Sequence, residues 1–125
     1  MSQNKPIILL DPYPRTMDLL FSKENLKYLK KNFKLITAPN KNKNNFYEKN
    51  LSKADYIFGQ PNLPSSLISK STKLKAIFNV ESNFMDNMDY DYCFRKGIHV
   101  LATSPVFAQP VAEMAMGLTL SIARS

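Results

Sequence analysis

Glycine is scarce in this chain: three in 125 residues, at Gly59, Gly97 and Gly117. Neither G-x-G-x-x-G nor G-x-x-x-x-G-K-S/T occurs. Loops that cradle phosphates need glycines so that backbone N–H groups can approach the ligand closely, so the chain is not expected to hold a dinucleotide by itself. The single Cys93 excludes an internal disulfide, and with His99 as the only histidine there is no Cys/His cluster of metal-ligand spacing. Long apolar runs are also missing. The longest, Val111 to Ala123, contains Glu113 and is shorter than the roughly 20 residues a membrane span needs. The run Ile7 to Leu10 meets Asp11 at once and is too short for a signal-peptide core. No membrane segment is expected, and a cytoplasmic location is.

Acidic residues are outnumbered, 10 against 17 basic ones, giving a formal charge of +7. The excess is mainly lysine between Lys23 and Lys53, interleaved with asparagine, as in Asn40-Lys-Asn-Lys-Asn-Asn45. Such a stretch can bind nucleic-acid phosphates without reading sequence. The plainer expectation is a solvated surface, because only three arginines are present (Arg15, Arg95, Arg124) and no Arg-aromatic motif accompanies the lysines.

What is present is the rhythm of one α/β domain. Pro6 to Leu10 reads as a strand buried on both faces, closed by Asp11-Pro-Tyr-Pro14. Met17, Leu20, Phe21, Leu26 and Leu29 fall near helical spacing, predicting one helix or two short ones ending about Asn32. Phe33 to Thr37 is a second strand, then a polar loop, and Phe46 to Ala54 a short helix. Tyr56 to Phe58 is a third strand, Ser65 to Lys70 one or two helical turns, and Leu74 to Val80 a fourth strand. Met88 to Lys96 reads as a helix ended by Gly97, and Ile98 to Leu101 as a fifth strand. A last helix is expected to have Pro110 in its first turn, where a missing N–H does no harm.

Strands alternating with helices through short loops require parallel crossovers, and hence a doubly wound parallel five-stranded sheet with helices on both faces. The expected order is the flavodoxin-like 2-1-3-4-5, with ligands at the carboxyl ends of the strands. Loops Asp11 to Pro14, Gly59 to Pro64, Glu81 to Met85 and Ala102 to Phe107 converge there. A receiver-type phosphorylation site lacks its chemistry, since Asp11 stands alone and Gln60 occupies the later acidic position. A flavin phosphate loop is excluded by the prolines after Asp11.

The ordered segments Leu74-Lys-Ala-Ile77, Asp86-Asn-Met-Asp89, Lys96-Gly-Ile-His-Val100, Ser104-Pro105 and Val111-Ala-Glu113 resemble the D-isomer-specific 2-hydroxyacid dehydrogenases. That family writes L-K-x-I, a glycine-containing loop, D-x-x-D, K/R-G-I-x-V, T/S-P and V-A-E in this order. The resemblance covers about the last 50 residues, and it implies the substrate domain, residues 1 to 109, followed from 110 to 125 by an interdomain helix leading toward a dinucleotide-binding domain. It also implies that the backbone amides near Glu81, Ser82 and Asn83 bind a substrate carboxylate, as free amides of a turn can. The stretch is similar to a branch with a Val-Glu-Gly-Asn-Phe loop, with Ser82 in place of the glycine. The family's catalytic histidine, its acidic partner and its substrate arginine belong to the following domain.

The resemblance thus implies part of an NAD- or NADP-dependent oxidoreductase interconverting a small 2-oxo acid and a D-2-hydroxy acid, inactive alone, with a homodimer as its expected assembly. The alternative is a non-catalytic flavodoxin-like binding or dimerisation module. Individual residues have plainer expectations. His99 is structural or superficial, since no orienting partner is in sight. Cys93, among Tyr90, Tyr92 and Phe94, is core. Glu113 is expected to serve the first turn of its helix through the helix dipole. Tyr13 and Gln60 pack loops, and Met85, Met88, Met114 and Met116 fill core and interface. A helix face with Met114, Leu118 and Ile122 is either exposed or buried in self-association.

Overall fold

The computed structural model describes residues 5–81 and 83–124. Its elements are β1 (Ile7–Asp11), α1 (Met17–Leu20), α2 (Lys23–Asn32), β2 (Lys34–Thr37), α3 (Lys43–Asn50) with a 3-10 turn at Leu51–Lys53, β3 (Tyr56–Gly59), α4 (Ser65–Ile68), β4 (Ala76–Phe78), α5 (Tyr90–Arg95), β5 (His99–Leu101) and α6 (Ser104–Ala123). The strands form one parallel sheet in the order β2-β1-β3-β4-β5, as expected.

Two rows of side chains explain how the sheet is covered. Because successive residues of a strand point to opposite faces, the registered row Leu9, Ile57, Ile77 and Val100 shares one face. All of these are buried, packed with Tyr47, Leu51, Ile68 and Cys93 from the helices that follow β2, β3 and β4. The next row, Leu10, Phe58, Phe78 and Leu101, takes the other face. There, right-handed crossovers place only the β1 to β2 connection. Phe21 meets Phe58 at 4.9 Å between ring centres, and Phe58 stacks on Phe78 at 6.0 Å. Beyond them an apolar groove of about 310 Å³ lies between Ile8, Tyr56, Phe58, Phe78, Leu29 and Phe33. Leu101, at the end of the row, is about half exposed.

Local signals set the helix ends. Ser22 caps α2 by accepting from the Asn25 N–H at 3.2 Å, and Asp89 caps α5 by accepting from the Tyr92 N–H at 2.8 Å. Gly97 follows α5 with φ of +70°, the left-handed stop that the sequence implied. The helix containing Phe46 starts earlier than expected, at Lys43, because Asn42 adopts a left-handed conformation with φ of 59° and turns the chain into α3.

The last helix also departs from expectation. It starts at Ser104, with Pro105 satisfying the first-turn preference, so Pro110 lies inside it. Glu113 consequently sits in mid-helix, accepting from Gln109 Nε2 at 2.8 Å, and has no first-turn dipole role. At 20 residues α6 is long and apolar enough to cross a membrane by length and composition alone, more than the shorter apolar run suggested. Glu113 opposes that use, since a central carboxylate costs at least about 2.5 kcal/mol in a bilayer. Of the four methionines expected to fill core and interface, Met88 is buried, whereas Met85, Met114 and Met116 are exposed.

Asp55 ties β1 to the entry of β3. Its Oδ2 accepts from the Ile7 N–H at 2.8 Å and from Lys73 Nζ at 3.2 Å. Burial alone would raise its carboxyl pKa, but the Ile7 hydrogen bond and Lys73 outweigh burial and hold it below the ordinary value of 3.8. A lowered folded-state pKa means that the charged form stabilises the fold above pH 3.8 and that this contribution disappears as pH falls through the folded value. Asp55→Asn should therefore cost about 1 kcal/mol at pH 7. Urea titrations repeated downward from pH 6 should show the difference from the unsubstituted chain closing below pH 3.8.

Candidate functional site

Four strand exits meet at the carboxyl edge of the sheet. β1 leaves through Asp11 into a tight turn in which the Arg15 N–H donates to the Pro12 carbonyl at 2.7 Å, with a cis bond before Pro14. This turn aims Arg15 across the edge, where its Nε–H donates to Glu81 Oε1 at 3.2 Å, joining the β1 and β4 exits. Between them, Arg15, Leu19, Leu20, Val80, Thr103, Val106 and Phe107 line a cleft of about 320 Å³. A depression of about 480 Å³ lies elsewhere, around Met17, Leu26 and Leu35. The cleft lies beside the β1 and β4 exits, at the strand ends where doubly wound sheets bind ligands.

The β4 exit loop is held from below. Asn87 Nδ2 donates to the Pro61 carbonyl at 2.5 Å, and the Leu63 N–H donates to the Asn87 carbonyl at 2.7 Å. The Tyr90 hydroxyl reaches the Met85 carbonyl at 2.6 Å and Asn87 Oδ1 at 3.0 Å. Burial, above all, raises the Tyr90 pKa, so the hydroxyl remains a donor. These bonds fasten the Met85 to Asp89 half of the loop onto the β3 exit.

The upper half is less engaged. The N–H groups of Glu81 and Asn83 donate to no acceptor among the described residues. Glu81 is partly buried and Asn83 exposed, while Ser82, the middle of the expected carboxylate contact, lies outside the described residues. The structure thus brings Glu81 and Asn83 to the edge with Arg15, which sequence reasoning did not single out. Below them Asn79, at the end of β4, is buried with both amide atoms unpartnered among the described residues; it lies near the Tyr90 hydroxyl without making a hydrogen bond. Gln60 is a loop residue as expected, but its Oε1 is likewise buried without a described partner. Each such group costs about 1–3 kcal/mol, and orphaned polar atoms collect where a fold reserves them for function.

A second polar cluster lies at the end of β1. Asp11, buried, pairs with Lys43 Nζ at 2.6 Å and accepts from the Tyr47 hydroxyl at 3.0 Å. Lys43 Nζ also stands 4.9 Å from the centre of the exposed Tyr13 ring. Burial, reinforced by Asp11, drives the Tyr47 pKa far above the phenol range. Every member of this cluster is partnered, which marks it as structural. His99 opens β5, at the amino edge of the sheet and exposed, away from the cleft. Cys93 is fully buried, and burial raises its thiol pKa.

A dinucleotide does not fit among these residues. Gly59, the one glycine at a strand exit, has φ of +156° and no room above its Cα: a Cβ there would lie 2.9 Å from the Asp11 carbonyl carbon. That space is filled by protein, and no glycine-rich turn precedes any described helix.

Comparison with known proteins places this geometry. A search of curated proteins finds no match. Among solved structures, a phosphoglycerate oxidoreductase from Rhizobium etli superposes with a TM-score of 0.79 at 39% identity over 96% of this chain. A Pyrococcus horikoshii OT3 protein matches with a TM-score of 0.69 at 20% identity over 90% of the chain, a likeness of fold alone. The chain spans 37% and 32% of their respective lengths. Residues 15–122 match the catalytic domain of D-isomer specific 2-hydroxyacid dehydrogenases, and the chain accordingly belongs to that NAD(P)-using oxidoreductase family.

Proposed function

We propose that the chain forms the acid-binding side of a D-2-hydroxyacid dehydrogenase, with the N–H groups of Glu81 and Asn83 taking the carboxylate of a small 2-oxo or 2-hydroxy acid. The observation that carries this reading is the pair of unengaged loop amides at the carboxyl edge, beside the cleft that Val80 and Arg15 line. Turn amides arranged in this way form a nest for an anion. The described residues place no histidine beside the loop, as His99 lies at the opposite edge of the sheet, and the Glu81 carboxylate is paired with Arg15. Proton and hydride transfer therefore require a dinucleotide-binding partner domain, and this chain alone binds acid without turning it over. The apolar, solvent-exposed α6 supplies a surface for that domain and for a second copy in a homodimer.

Titration of the ¹⁵N-labelled chain with 2-oxobutyrate tests the site. Backbone amide shifts should concentrate between Val80 and Phe84, with a dissociation constant of about 1 mM for so few contacts. Asn83→Pro, which removes one N–H, should weaken binding about tenfold. Shifts confined to the Asp11 cluster, or none at all, would remove the carboxylate site from Glu81 and Asn83.

A further inference from the structure

Arg15 is held at one edge of its guanidinium. Only its Nε–H is engaged, by Glu81 at 3.2 Å; its two η nitrogens have no partner among the described residues. The guanidinium is thus gripped on one edge, and Arg15 lines the cleft together with Leu19, Leu20, Val80, Val106 and Phe107. Those neighbours are apolar, so Thr103 is the other polar side chain on the wall. An arginine fork beside an apolar wall is a receptor for a planar or tetrahedral oxyanion, which it meets through two parallel hydrogen bonds. Lys43, the other cation near the β1 exit, cannot serve in this way because its ammonium is committed to the buried Asp11 at 2.6 Å.

From this geometry we infer that the substrate carries a second anionic group: it is a 2-oxo or 2-hydroxy acid whose far end bears a carboxylate or phosphate, gripped by Arg15. Arg15 is the specificity-determining residue and Glu81 its positioning partner. The inference rests on the proposed carboxylate contact at Glu81 and Asn83, and it adds a second point of attachment at Arg15, on the wall of the adjoining cleft. Two anchors would fix the length of the acid as well as its chemistry, while the apolar walls between them accept the carbon chain. Arg15 is about half exposed, with side-chain accessibility of 52%, so solvent screens the contact and its effect is moderate.

The test compares three probes on the 125-residue chain by calorimetry and amide shifts at low salt: 2-oxobutyrate as a monoanion, 2-oxoglutarate as a dicarboxylate, and 3-phosphohydroxypyruvate as a phosphate-bearing acid. At least one of the two acids with a second anionic end should bind about five- to tenfold tighter than 2-oxobutyrate, and the better of the two identifies the terminal group. Arg15→Gln should abolish that preference, lowering affinity for the favoured probe by about five- to tenfold and for 2-oxobutyrate by less than about twofold. Arg15→Lys, which keeps charge but loses the fork, should retain only part of it. Equal binding of all three probes, or an equal loss for all three in Arg15→Gln, overturns the assignment of Arg15 while leaving the loop site intact. Absence of binding by every probe overturns both.

Discussion

Gly59→Val should leave the chain without a cooperative unfolding transition, and Gly59→Ala should lower its stability by about 3–5 kcal/mol. Gly59 ends β3 opposite Asp11 of β1, where two neighbouring interior strands of the sheet meet. A methyl group placed there would press into the Asp11 carbonyl, with its carbon and Cβ both at 2.9 Å, and these are backbone and near-backbone atoms that cannot rotate aside. The φ of +156° adds a second penalty, since that region is populated almost only by glycine. Against a typical total stability of about 5–15 kcal/mol, the alanine chain would be marginal. A urea midpoint within about 0.5 M of the parent would show that β1 and β3 can separate cheaply.

Lys43→Met should cost about 2–4 kcal/mol in the same assay, far more than loss of the other ion pair at the carboxyl edge. Removing the ammonium leaves the Asp11 carboxylate, 3% exposed, with the Tyr47 hydroxyl as its remaining side-chain partner. The expected cost is set below that of a fully enclosed pair because the Lys43 side chain is 31% exposed. Asp11→Asn in the Lys43→Met background should recover part of the loss, since the uncompensated charge is then gone. Arg15→Gln, which breaks a solvated pair, should change stability by less than about 0.5 kcal/mol. If Lys43→Met were equally mild, Asp11 would have to be reached by water, and the cluster would not lock α3 to the end of β1.

Most of the sheet could be read from the sequence because each strand is a short apolar run beside a residue that stops it. Gly97 gave the end of α5 for the same reason, being a local conformational requirement written in one residue. The errors came where two local signals compete. Pro105 and Pro110 can each open a helix, and the chain uses the earlier one, which drew Glu113 into mid-helix. Lys43 read as part of a polar loop because α3 has few apolar residues before Phe46; its helical start depends on Asn42 and on the attraction of buried Asp11. The candidate edge was legible in part. The motif order found the β4 exit, whereas Arg15 reaches Glu81 across 66 positions, and no spacing rule anticipates that contact. The partnered Asp11 was hidden for the same reason, its cation and its phenol lying 32 and 36 positions further along the chain.

The shape of α6 also sets how the cleft responds to load. The helix leaves β5 after Ala102 and Thr103 and places Phe107 within its first turn, on the wall of the cleft. At about 1.5 Å per residue it is an arm about 30 Å long. A swing of about 10° at its root would carry the far end through about 5 Å and Phe107 through less than about 1 Å. Whatever body the tip is fastened to can therefore rock substantially while the wall beside Arg15 hardly moves. The helix acts as a long oar in a short rowlock, and the cleft wall is mechanically insulated from motion at its distal end.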